Sequence, residues 1–91
     1  MWTEARRNTV MTRVAALLRE IDPEVSLLDA QLDSTRQQLV LFTQKGENPV
    51  LLGMSYLDYA SHRDDELRVK LKEGLERREV DYRRRLDEES A

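Results

Sequence analysis

The chain has 91 residues, 40% apolar and 36% charged, with a net charge of −3 and a pI of about 5.2. One domain is expected, because a core this small cannot be divided. The absence of cysteine excludes a disulfide framework, a thiolate metal site and a cysteine nucleophile, and the mild acidity gives no bulk attraction to nucleic acid or anionic membrane.

No apolar run of signal-peptide type follows Arg6-Arg7, and no stretch approaches the roughly 18–20 apolar residues of a membrane span. A cytoplasmic protein without membrane contact is expected. Arginine outnumbers lysine by 12 to 3, a bias that favours planar, bidentate surface ion pairs.

Residues 2–21 carry helical spacing. Val10, Val14, Leu17 and Ile21 recur at intervals of four, three and four, and Met11 and Leu18 widen the stripe. Pro23 holds Asp22 in an extended conformation, so the helix should stop there. Over 26–33, Leu28, Ala30 and Leu32 alternate with Asp29, Gln31 and Asp33, the period of a strand with one wet face. D-S-T-R at 33–36 is a turn candidate. A second, more central strand is expected over 37–44, where Q-L-V-L-F-T-Q is apolar and β-prone. K-G-E-N-P at 45–49 is the strongest turn signal, and a third strand follows over 50–59, with Gly53 suggesting a bulge or close backbone approach.

From 62 to 89 a long helix is expected, with Leu67, Leu71, Leu75, Tyr82 and Leu86 along one side. Acids precede bases by four positions at Asp64/Arg68, Glu66/Lys70, Glu73/Arg77, Glu79/Arg83 and Asp81/Arg85, the favourable order for intrahelical pairs. The expected fold is therefore a single small α+β domain over residues 1–91, helix, three-stranded antiparallel meander, long C-terminal helix.

The stretch S-H-R-D-D-E-L at 61–67 is chemically the richest. H-R-D invokes the protein-kinase catalytic loop, but Val69 stands where that motif needs Asn, and there is no Gly-rich loop. His62 and Glu66, with Asp58 and Asp65 nearby, make an incomplete metal set. Ser61, His62 and Asp58 are too close in sequence for a triad that converges on a pocket. The structural reading is a capping box with Ser61 as N-cap and Asp64 three residues on, and acids in the first turn facing the helix dipole. Arg83-Arg84-Arg85 is bracketed by acids that neutralise it. No catalytic residue, cofactor or metal is expected.

The sheet is richer in apolar residues than two helices can cover. Leu39 and Leu41 point one way in the second strand, Val40 and Phe42 the other; in the third, Leu52, Met54 and Tyr56 oppose Leu51 and Leu57. A helix of 26 residues spans about 39 Å and a seven-residue strand about 23 Å, so the last helical turns should overhang the sheet. The expected partner-binding residues are Val40, Phe42, Met54 and Tyr56 on the second sheet face and Val80, Tyr82 and Leu86 on the overhang. Trp2, the sole tryptophan, is either a staple onto the core or an exposed anchor. Residues 1–20 hold four Arg against two Glu, while 21–60 hold two bases against six acids, an asymmetry that could orient a docking partner or a second copy.

The order helix–strand–strand–strand–helix resembles that of double-stranded RNA-binding domains and of most of a ribosome hibernation factor. The resemblance covers element order only: the helix start S-H-R-D-D-E lacks the basic residues with which those families grip phosphate. It implies, as one alternative, an accessory protein of nucleic-acid or ribosome-associated machinery. A small enzyme using Asp29, Asp33 or Asp58 is another. The leading expectation is a non-enzymatic protein-interaction module, acting as homodimer, adaptor or inhibitor, with a protein partner or a second copy and without direct nucleic-acid binding.

Overall fold

Thr3 opens the first helix by accepting the Arg6 N–H on Oγ1 at 3.2 Å, which satisfies one of the free amides of the first turn. Helix α1 (Glu4–Ile21) ends where Asp22 turns extended ahead of Pro23. Asp22 then accepts the Glu24 N–H on its side chain and the Val25 N–H on its carbonyl, turning the chain into the sheet. The computed structural model describes the backbone of residues 2–90 and the side chains of residues 2–78.

Strands β1 (Val25–Asp33), β2 (Gln38–Lys45) and β3 (Asn48–Ser55) form an antiparallel meander in the order β1-β2-β3. Asp33 makes the first turn by accepting the Thr35 and Arg36 N–H groups, and Gln37 closes it at φ +53°. Gly46 takes φ +61° in the second turn, a two-residue hairpin loop between Lys45 and Asn48. The chain order of these strands is as expected, but three details differ.

The bulge lies at Leu28, not at Gly53. Leu27 pairs with Thr43 and Asp29 with Phe42, so Leu28 is an extra residue in β1. It reverses the alternation: Val25 and Leu27 turn inward before it, Ala30 and Leu32 after it, and Leu28 itself is 54% exposed. Gly53 pairs regularly with Val40.

The third strand also ends early. Ser55 accepts the Asp58 N–H on Oγ at 3.0 Å and caps a short helix, α2 (Tyr56–Ser61). Residues 56–59, read as strand from their apolar content, are helical because of this cap. Ser61 is consequently the last residue of α2 and caps nothing beyond it. Helix α3 (Asp64–Ser90) begins after Arg63, whose N–H donates to the Glu66 carboxylate at 3.4 Å, half of a capping box without the hydroxyl partner.

All three helices lie on one face of the sheet, with α1 mainly on β1, α3 on β3, and the two in mutual contact. Between them lies the core: Val10, Val14, Leu17 and Leu18 of α1, Leu39 and Leu41 of β2, Leu52 and Met54 of β3, and Leu67 and Leu71 of α3. Thr43 is buried among them, and its hydroxyl donates to the Val50 carbonyl at 2.7 Å. Gly74 lets α3 close on β3, since a Cβ there would stand 3.3 Å from a Leu52 methyl.

The ion pairs run between elements. Arg68 reaches Glu20 at 2.7 Å, Lys70 reaches Asp58 at 2.8 Å, and Asp64 accepts from Arg13 at 2.8 Å. The expected partners within α3, Asp64 for Arg68 and Glu66 for Lys70, are thus replaced by contacts that fasten α3 to α1 and α2. Glu79/Arg83 and Asp81/Arg85 lie outside the described side chains.

Candidate functional site

The sheet face turned away from the helices is held by β2 and β3. Phe42 and Leu51 are directly opposite each other on it, 39% and 48% exposed. Val40 lies next along β2, half-buried, opposite Gly53 on one side and Gln31 on the other. Because Gly53 carries no side chain, the surface is recessed beside Val40. Leu28, pushed out by the bulge, adds a further apolar side chain across from Phe42. Gln31, Gln38 and Gln44 border this patch.

Two of the expected surface residues belong elsewhere. Met54 pairs with Leu39 and is buried in the core, since residues 50, 52 and 54 share the inner face with 39, 41 and 43. Tyr56 leaves the sheet with α2, where it forms an edge-on contact with Trp2 at 6.5 Å and stacks obliquely on Tyr59 at 5.8 Å. Trp2 packs against the rim of the core, so its role is the staple at the start of α1. Val80, Tyr82 and Leu86 lie outside the described side chains. Leu51, and not Met54, joins Phe42 on this face because the phase of β3 is set by its register against β2, which alternation within one strand does not reveal. Counting outward from the Gly46–Glu47 loop would have found it, for that count puts Leu51 opposite Phe42 and Met54 opposite Leu39.

The carboxylates considered for chemistry are all engaged. Asp29 accepts from Gln31, from Arg7 at 2.7 Å and from the Ala30 N–H, and these bonds hold its pKa below the usual carboxyl value. Asp58 is lowered by the Lys70 ammonium. Asp33 is occupied in its turn. Ser61 donates to the Asp58 main-chain carbonyl at 3.4 Å while the Asp58 carboxylate is held by Lys70, and no group of three or more His, Cys, Asp or Glu among the described residues could hold a metal ion.

A separate recess opens at the outer edge of the sheet, between β3 and α3, with a volume of about 210 Å³. Leu52, Gly53 and Met54 form one wall, and Lys70, Arg77 and Arg78 stand on the other. The composition of α3, where acids and bases are closely mixed, gave no sign of it.

No helix among the described residues is long and apolar enough to cross a membrane. No known protein family, no curated protein and no solved structure matches the chain.

Proposed function

We propose that this chain is a small non-enzymatic interaction module that docks on a larger protein through the open face of its sheet. The Phe42–Leu51 pair carries this reading: two large apolar side chains, adjacent and uncovered, on a face bordered by glutamines and by Asp29, which is opposite Phe42 and paired with Arg7. A contiguous apolar patch with a polar border is the usual character of a protein contact surface.

Size argues for a larger partner over a dimer built on this face alone. Three strands of about eight residues, each residue rising about 3.4 Å and the strands about 4.8 Å apart, present roughly 380 Å² in projection. A stable interface takes about 800 Å² from each partner. A partner that reaches past the sheet margins supplies the difference. The lowered pKa values of Asp29 and Asp58, the opposite of what a general acid needs, and the use of Asp33 in its turn support a non-enzymatic role.

The test is affinity capture from the source cell with the wild-type chain and with Phe42→Asp, quantified by mass spectrometry. The expected result is a defined protein retained by the wild type and lost with Phe42→Asp, which still folds cooperatively at the capture temperature, if less stably, since position 42 is outside the core but opposite Asp29. Equal capture by both chains would rule out the open face as the docking surface.

A further inference from the structure

The recess between β3 and α3 has the form of a site for an extended peptide. Among the described residues β3 pairs only with β2, so its other edge faces this recess. In an antiparallel ladder alternate residues turn both N–H and C=O to the partner strand. With the two-residue loop closing on Lys45 and Asn48, the inward set is Asn48, Val50, Leu52 and Met54. The backbone groups of Leu51 and Gly53 therefore point away from β2. Pro49 belongs to the same outward set, where its missing N–H breaks no ladder bond, and it closes the hairpin end of the edge to pairing. The end at Gly53 has no such block: Gly53 is exposed, and a Cβ built there meets no side chain within 4 Å.

Electrostatics selects the occupant. Lys70, Arg77 and Arg78 line the recess, and among the described residues no acidic one does. Lys70 is shared with Asp58, whereas Arg77 and Arg78 are exposed and make no ion pair within the described residues. Leu52 and Met54 supply an apolar floor for a side chain pointing inward. We propose that this recess binds an extended acidic segment of another protein, which adds to the β3 edge as a fourth strand: Leu51 and Gly53 supply main-chain hydrogen bonds, and Arg77 and Arg78 meet its carboxylates. Pairing of β3 with β3 of a second copy would bring two sets of arginines together, which disfavours self-association here. This site shares only the main chain of Leu51 with the Phe42–Leu51 face, whose side chains point the other way.

The probe is a capped, fluorescent eight-residue peptide of alternating glutamate and valine. Its controls are the lysine–valine counterpart and a version with proline at two central positions. Binding is read by anisotropy and by amide shifts in the full chain. The expected result is binding of the glutamate peptide with shifts at Leu51, Gly53 and residues 70–78, and at least tenfold weaker binding of both controls. Arg77→Glu with Arg78→Glu, both on exposed positions, should weaken it at least tenfold while the spectrum outside the recess is unchanged. Absence of shifts at about 1 mM peptide, shifts at Leu28, Val40 and Phe42 with none at Gly53 and residues 70–78, or equal binding of the lysine peptide would overturn the proposal. So would a concentration-dependent doubling of mass in light scattering that the peptide competes away, since a second copy would then be the occupant.

Discussion

The guanidinium of Arg13 lies 5.0 Å above the ring of Tyr59 and donates to the carbonyl of the same residue at 3.2 Å. It also donates to the His62 carbonyl and to the Asp64 carboxylate, both at 2.8 Å. One side chain of α1 thus satisfies carbonyls at the end of α2 and meets the first acid of α3. Arg13→Ala should destabilise the fold by about 2 kcal/mol, the worth of one or two hydrogen bonds to a charged group plus a partly solvated cation–π contact. Arg13→Lys should recover only part of that, because an ammonium lacks the planar fork. Urea denaturation of the three proteins measures both.

Ser55 and Ser61 should separate in the same assay. Ser55→Ala removes the cap of α2 and should cost about 1 kcal/mol. Ser61→Ala removes only a 3.4 Å bond to a carbonyl and should stay within about 0.5 kcal/mol. A reversed order would restore Ser61 as the cap of the long helix.

The bulge in β1 makes a prediction that a regular strand would contradict. Leu28→Ser should be nearly neutral, within about 0.5 kcal/mol, since the side chain is exposed. Leu39→Ala, at a fully buried position on the inner face, should cost about 2–5 kcal/mol. If Leu28→Ser cost as much, the inward phase of β1 would pass through residue 28.

Two glycines should respond with opposite sign. At Gly46, φ +61° places a Cβ in the left-handed region, so Gly46→Ala should destabilise by about 1 kcal/mol. At Gly53 the backbone is ordinary strand with room for a Cβ, so Gly53→Ala should stabilise by about 0.4–1 kcal/mol through the unfolded chain. Thermal melts of both variants check the pair.

Acid should weaken the fold through its paired carboxylates. Lys70 lowers the Asp58 pKa, Gln31 with Arg7 lowers that of Asp29, and Lys45 with the Glu24 N–H lowers that of Asp22. Each folded-state value lies below the unfolded one of about 3.9. Their contribution is therefore present at neutral pH and is lost as pH falls below about 4, through the folded values. The difference in Tm between wild type and Asp58→Asn should be largest near pH 7 and shrink in acid, and salt should reduce it at every pH because these groups are solvated.

Most of the architecture was legible from periodicity and turn chemistry. The 4-3-4 spacing of Val10, Val14, Leu17 and Ile21, the proline after Asp22 and the K-G-E-N loop each act locally, and local signals survive folding. What was illegible depends on pairing. Leu28 alternates correctly with its neighbours in sequence, yet only the register against Thr43 and Phe42 reveals it as the extra residue. Tyr56, Leu57 and Tyr59 have strand-like composition, and a single hydroxyl at Ser55 makes them helical. The open face was half legible: Val40 and Phe42 were placed correctly, while Met54 and Leu51 exchanged sides because the strand was read without its partner. The basic recess was invisible, because it arises from Arg77 and Arg78 lying near a sheet edge more than twenty residues away in sequence.

The contact between the first and last helices also sets a constraint on synthesis. Arg13–Asp64 and Glu20–Arg68 join residues 51 and 48 positions apart, whereas the hairpins join near neighbours. A nascent chain can form its meander while Leu67 and Leu71 are still inside the ribosome. During that interval Leu39, Leu41, Leu52 and Met54 lack part of their cover, and the sheet is apolar on both sides. A chain truncated before Leu67 would therefore leave Leu39, Leu41, Leu52 and Met54 short of cover on one side of the sheet, with Phe42 and Leu51 exposed on the other.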